Sequence, residues 1–238
     1  MTPAYSVIIP ACNEERWLPR TLEFLRRAMA EVPEPGEIIV CDNASSDRTA
    51  ALAAAAGARV VSEAHRQISR ARNRGAEAAR GEFLIFLDAD TLVEGALLRQ
   101  ALDHLRNKGC GGGARVAMDG DCPPRLLRGL RAWNRISAFL RVAAGCFVFC
   151  HRQAFEESGG FSESVYAGEE VWFSDRLKRW GRRRGLRFAI LSDPPVRTSP
   201  RRLHRTWKMA GTLVLLVLFP FASRSRFLCG YWYAEQRD

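Results

Sequence analysis

The chain has 238 residues, a length that suits one domain with a core of its own and no need of disulfide staples. Its apolar share of 47% and charged share of 26% are those of an ordinary globular protein, which excludes a disordered or fibrous chain. The net charge of +10 is nearly all arginine, since only Lys108, Lys178 and Lys208 are lysine. Arginine grips phosphate through paired donors, and a basic surface favours phosphorylated substrates, anionic lipid or nucleic acid. An arginine-rich gene composition accounts for the same bias without any function.

The seven cysteines include no C-x-x-C pair, which excludes a zinc ribbon and an obvious disulfide framework. Their odd number and apolar settings at Cys41, Cys146 and Cys150 predict reduced thiols and a cytoplasmic address. No leader-like segment precedes the apolar run that starts at Tyr5, which fits that address.

In chain order, residues 6–10 read as a short strand, and a helix follows from Asn13 to about Glu31 with Leu18, Leu22 and Leu25 on one face. Pro33, Pro35 and Gly36 end it, and residues 37–41 form a second strand closed by Asp42. Ser46 and Asp47 cap an alanine-rich helix that stops at Gly57. Residues 59–62 are a strand, 67–80 a helix, and 82–87 the most apolar strand of the chain, ending in Asp88-Ala89-Asp90. This alternation predicts a mostly parallel, Rossmann-like sheet flanked by helices, with ligands at the carboxyl ends of its strands.

The second half is less regular. A helix runs after Thr91 to about Asn107, followed by a strand over 111–118 and a basic amphipathic helix over 124–138. A strand over 144–150, a turn at Gly159-Gly160, a helix over 169–180 and a strand over 187–191 follow. Residues 209–222 are very apolar, with Pro220 among them, yet shorter than the ~20 residues a spanning helix needs. The segment suits a core helix or a surface anchor. With Arg125, Arg128, Arg131 and Arg135 it predicts peripheral contact with an anionic membrane, at its inner face.

Asp88-Ala89-Asp90 is the sharpest chemical feature. Carboxylates two apart at a strand end can point the same way. They offer the oxygen ligands that Mg²⁺ or Mn²⁺ takes, and such a cation neutralises a diphosphate leaving group. Closing a buried strand, two like charges also repel unless a cation lies near. Asp42 caps nothing obvious and can accept from the imide N–H of a uracil-like base. Arg70 and Arg74, four apart, are either a solvated helix face or a diphosphate clamp. Glu169 and Glu170 open a helix, either as complements of its dipole or with one serving as the general base for an acceptor hydroxyl. Trp172 and Trp180 nearby are core residues or an acceptor platform.

These pieces together resemble glycosyltransferase family 2, whose members have the A-type nucleotide-sugar fold. The matching segments are residues 6–14, 37–49, 71–75 and 86–91, with Glu169-Glu170 and Arg176 as a thinner last piece. The resemblance implies that Pro10, Ala11, Asn13 and Glu14 line the nucleotide, with Arg70 and Asn73 beside it. It implies that Asp42 reads the base, that Asp88 faces ribose or metal and that Asp90 binds metal. Glu170 takes the place of the family's usual base aspartate, one methylene longer, with Glu169 beside it. His204 is the further metal candidate and Arg202 a diphosphate candidate.

The implied activity is metal-dependent, inverting transfer of a single hexose from a nucleotide-sugar to an acceptor hydroxyl, with a lipid-linked acceptor among the candidates. UDP is the default nucleotide, ahead of GDP and dTDP. The chain lacks the Gln-x-x-Arg-Trp signature and the multiple spanning helices of processive synthases. The expected layout is a catalytic domain over residues 1–205, split at 91 into nucleotide and acceptor halves, and an apolar helical tail over 206–238. Two rivals remain. Asp88 also fits the nucleophile of a haloacid-dehalogenase-like phosphatase, although three strand units precede it. The arginines also fit a nucleic-acid binder, which leaves the acidic strand ends unexplained, so nucleic acid is not an expected partner.

Overall fold

A computed structural model describes residues 2–201. The elements of the first half are β1 (Tyr5–Ala11), α1 (Leu18–Ala30), β2 (Gly36–Asp42), α2 (Thr49–Ala55), β3 (Arg59–Ser62), α3 (Ile68–Ala78) and β4 (Phe83–Leu87). There follow β5 (Thr91–Leu92), α4 (Gly95–Arg106), β6 (Gly109–Met118), α5 (Pro124–Leu140) and β7 (Phe147–His151). The last are α6 (Arg152–Glu157), α7 (Glu169–Arg182) and β8 (Arg187–Thr198). The strands form one sheet in the order β3-β2-β1-β4-β7-β6-β8-β5. β1 to β4 are parallel, β7 is antiparallel to both of its neighbours, β6 and β8 are parallel, and β5 is antiparallel to β8.

Helices cover both faces of this sheet, and its central strands show why. In β1, Val7 and Ile9 join one core cluster with Leu22 and Leu25 of α1 and Leu98 and Leu102 of α4. Ile8, between them, joins the other cluster with Ala76 of α3 and Phe173 and Leu177 of α7. In β4, Ile85 and Leu87 face the first cluster and Leu84 and Phe86 the second. A strand buried on both faces has no place for a polar residue, which is why β4 reads as an unbroken apolar run. Gly75 lets α3 lie close on β1, since a Cβ there would come within 2.4 Å of Ile8 Cγ2.

The elements depart from the expected pattern in several places, most of them in the second half. The first helix starts at Leu18, with Pro19 in its first turn, and residues 13–17 form a turn instead. The strand expected over 144–150 begins at Phe147, and residues 145–146 turn so that the Cys146 carbonyl accepts the Asp88 N–H at 3.1 Å. β5 and α6 are too short to leave a periodic signal. β8 extends to Thr198 rather than stopping at 191. Pro194 and Pro195 fall between Leu191, paired with Ala114, and Val196, paired with Val116, where the register shifts and no regular ladder bond is demanded. Among the described residues no helix is long and apolar enough to cross a membrane. The apolar run at 209–222 lies outside the described residues.

Candidate active site

β1, β2 and β4 are parallel and in register, with Ala11 opposite Asp42 and Ile8 opposite Phe86, so their carboxyl ends open on one edge. Pro10 and Ala11 are the last residues of β1, beyond its final pairing with β4. The turns after β1 and β2 then lock together. Asn13 adopts φ 54°, a conformation asparagine tolerates. Its N–H donates to Ser45 Oγ at 3.0 Å, and its side-chain oxygen accepts from the Ser46 N–H at 2.8 Å. The Glu14 N–H donates to Thr49 Oγ1 at 2.8 Å and the Glu15 N–H to Asp47 Oδ2 at 3.1 Å. Asp47 also accepts the Thr49 N–H at 2.9 Å, from one residue ahead of Arg48, which occupies the N-cap position of α2. Asn13 therefore shapes the turn with its amide oxygen.

Asp42 Oδ1 is buried and has no hydrogen-bond partner among the described residues. A buried oxygen left so is costly unless a ligand donates to it.

Beyond β4, the two aspartates are held by different arginines. Asp88 Oδ1 accepts from Arg72 Nη2 at 3.0 Å. Asp90 Oδ2 accepts from Arg201 Nε at 2.6 Å, and Arg201 Nη2 also donates to Glu14 Oε1 at 2.5 Å. The end of β8 delivers Arg201, because the Ser199 N–H donates to the Asp90 carbonyl at 3.1 Å. Trp17 lies under the same guanidinium, 5.5 Å from ring centroid to Cζ. Arg201 thus balances two carboxylates at the strand ends, the charge that a divalent cation would also supply. Among the described residues no three His, Cys, Asp or Glu form a metal-holding group. The protein's share of a cation would then be the hard oxygens of Asp88 and Asp90, a set that suits Mg²⁺ or Mn²⁺ with water or phosphate completing it.

Arg72 is the hub. It is 1% exposed, an unusual state for an arginine. Besides Asp88, it donates to Glu169 Oε1 at 2.6 Å and to the Gly145 carbonyl at 2.8 Å, and it lies over the Phe161 ring. Gly168, at φ 74°, starts α7 and places Glu169 and Glu170 in its first turn. Glu169 is buried against Arg72, and Glu170, partly exposed as a residue, sets its carboxyl against Gly145. Arg72 is one cation facing Asp88, Glu169 and Glu170. Burial first, and then the charge of Glu169, push the Glu170 carboxyl up to about 8.

The remaining candidates stand elsewhere. Arg70 pairs with Glu163 at 3.2 Å and Arg74 with Glu77 at 3.1 Å, so Arg72 is the arginine of this helix at the strand-end carboxylates. The Asn73 amide brackets the 161–163 loop, donating to the Phe161 carbonyl at 2.9 Å and to Glu163 Oε1 at 3.0 Å. Trp180 is buried in the core, and Trp172 is exposed. Arg202 and His204 lie outside the described residues. Sequence reading missed Arg72 and Arg201. The first had a signal: with Ser69, Ala71, Gly75 and Ala76 it occupies the inward side of α3, where a charge needs a buried partner.

The profile of glycosyl transferase family 2 matches residues 6–158. The chain is 30% identical over 129 residues to a low-salt glycan biosynthesis hexosyltransferase of Haloferax volcanii, covering 54% of this chain and 30% of that protein. It is 40% identical over 93 residues to an undecaprenyl-phosphate 4-deoxy-4-formamido-L-arabinose transferase of Pseudomonas aeruginosa, covering 36% of this chain and 27% of that protein. The chain spans about a third of the length of the curated relatives it matches. Its fold is similar to that of the glucosyl-3-phosphoglycerate synthase of Mycobacterium tuberculosis, solved with Mn²⁺ and UDP. That likeness has a TM-score of 0.66 at 20% identity and covers 96% of this chain and 80% of that one.

Proposed function

The chain belongs to glycosyl transferase family 2, and on that basis we propose that it moves a single hexose from a nucleotide-sugar, UDP-linked first among them, to an acceptor hydroxyl with inversion. The observation that carries this reading is the geometry at Arg72, which holds Asp88 at the end of β4 and Glu169 at the start of α7, with the Glu170 carboxyl beside them at Gly145. Asp42 Oδ1 accepts the imide N–H of the base, and the turn built by Asn13 and Ser46 shapes the floor beneath the nucleotide. When bound at Asp88 and Asp90, Mg²⁺ or Mn²⁺ supplies the positive charge that a departing diphosphate requires.

In an inverting transfer the acceptor oxygen attacks from the face opposite the leaving group and must lose its proton. Glu170 takes that proton, and a base titrating near neutrality is well matched to the task. Glu169, fixed by Arg72, orients rather than reacts. Residues 1–91 form the nucleotide half and residues 92–205 the acceptor half, with His204 a further candidate for the cation. The name of the Pseudomonas aeruginosa relative supports a lipid-linked acceptor. The six described cysteines are free thiols, in keeping with work in the cytoplasm at the inner membrane face.

Nucleoside diphosphate release tests the proposal, measured with UDP-, GDP- and dTDP-sugars, Mn²⁺ and a panel of lipid-linked glycan acceptors. Release from one donor class that Glu170→Gln slows by roughly 10²-fold or more is the expected result. Inorganic phosphate release from simple phosphate esters, lost in Asp88→Asn, would instead favour the phosphatase reading.

A further inference from the structure

α5 is a 17-residue helix of which only Ser137 is buried. Its inward side is pinned: Asn134 Oδ1 accepts the Val116 N–H at 3.0 Å, and Asn134 Nδ2 donates to the Val116 carbonyl at 2.9 Å. The outward side is thereby fixed as well. It carries Arg128, Ala132, Arg135 and Phe139 in one stripe at helical spacing, with Ile136 and Leu140 beside it. Phe139 is 86% exposed, and Ile136 and Leu140 are about half exposed. A soluble surface rarely shows so much apolar side chain together.

The patch continues onto α7. Lys178 Nζ donates to the Leu140 carbonyl at 3.1 Å, and Ser174 Oγ accepts the Ala143 N–H at 3.1 Å. Val171 shares that stripe of α7, three residues before Ser174 and seven before Lys178. Val171 and Trp172, both exposed, directly follow Glu170. The charge along α5 is uniform, while α7 adds the exposed Asp175–Arg179 ion pair. No acid occurs between Asp121 and Glu156, and Arg125, Arg128, Arg131 and Arg135 have no ion-pair partner among the described residues.

We propose that the outward face of α5, with Val171 and Trp172 of α7, docks on an anionic lipid bilayer and sets Glu170 at the headgroup level. An interfacial helix needs apolar side chains that enter the acyl boundary and cations that meet the anionic headgroups, and α5 offers both on one stripe. The four unpaired arginines decide against a second copy of this chain, whose equal charge would repel. The docking explains how a lipid-linked acceptor reaches the base; it rests on the proposed function for that purpose alone and not for the binding itself.

The test is flotation of the whole chain with phosphatidylcholine vesicles, with and without phosphatidylglycerol. Three variants are compared with the wild type: Phe139→Asp, Arg128→Glu with Arg135→Glu, and Leu215→Asp with Leu216→Asp in the apolar tail. Burial of one phenylalanine changes partitioning by roughly ten-fold or more. Flotation should therefore need phosphatidylglycerol and fall at least about ten-fold in each of the first two variants. Heat-stabilisation by UDP and Mn²⁺ reports folding and the donor site, and should be unchanged in them. Absence of wild-type flotation overturns the proposal, as does flotation lost only in the tail variant, which would assign the contact to the tail. Either failure with UDP binding intact leaves the proposed function standing.

Discussion

Arg72 joins Glu169 at 2.6 Å, and this one contact ties α3, which follows β3, to α7, which carries Glu169 and Glu170 in its first turn. The pair is buried on both sides and is completed by Asp88 and the Gly145 carbonyl. Desolvation makes such a pair a poor source of stability, yet removing one partner strands the other in a medium that cannot solvate it.

Arg72→Met should therefore lower stability by about 3–5 kcal/mol, read from urea unfolding. Arg72→Lys keeps the charge and loses the fork that spans Asp88 and Glu169, so it should fall between Arg72→Met and the wild type. A neutral Arg72→Met would mean that the two halves are held by apolar packing alone.

Glu170→Gln should leave nucleotide affinity unchanged and reduce turnover by roughly 10²-fold or more, with Glu169→Gln costing less in turnover. Turnover of the wild type should rise with pH toward about 8 as the base loses its proton. Stability should move the other way. The folded state raises this carboxyl above its ordinary 4.5, so its contribution is fully present below 4.5 and is lost as pH rises through about 8. Glu170→Gln should flatten that decline in pH-dependent unfolding. The same decline in the variant would assign it to another group.

Asp42→Asn should weaken nucleotide binding by about ten-fold, the scale of one hydrogen bond to a charged acceptor. Unfolding should be no easier in the variant, because Asp42 Oδ1 holds no protein donor. Isothermal titration and urea unfolding read the two effects separately. A drop in stability with affinity intact would make Asp42 a structural residue.

Arg201 links Asp90 and Glu14 and so offsets the repulsion between them. Arg201→Gln should lower the melting temperature of the ligand-free protein. The rise in melting temperature on adding Mn²⁺ should exceed that of the wild type, because the cation then has both carboxylates to neutralise. An equal rise would place cation binding away from Asp90.

The parallel half was legible because its strands are buried on both faces and its helices on one, which leaves clear periods. Arg59–Ser62 was placed without error, and β4 to within one residue. The acidic strand ends followed from that, since parallel neighbours bring their carboxyl termini together. The interlock of Asn13 with Ser46 was not legible, because it depends on the pairing of two turns 33 residues apart. The length of β8 was hidden by Pro194 and Pro195, which the sheet tolerates only through a register shift. Arg72 was overlooked in favour of Arg70 and Arg74, whose i, i+4 spacing suits a surface clamp; its place on the inward side of α3 was the better guide. Arg201 is brought to Asp90 by the pairing of β5 with β8, a long-range contact that no local spacing foretells.

The central claim is that the edge formed by Asp42, Asp88 and Asp90 binds a nucleotide-sugar together with a divalent cation. Calorimetric titration of UDP-, GDP- and dTDP-sugars, with Mn²⁺ and again in excess chelator, tests it most directly. The account predicts saturable binding of one nucleotide class with Mn²⁺, lost in chelator and lost in Asp90→Asn with the fold intact. Equal affinity in chelator, or wild-type affinity in Asp90→Asn, would contradict it.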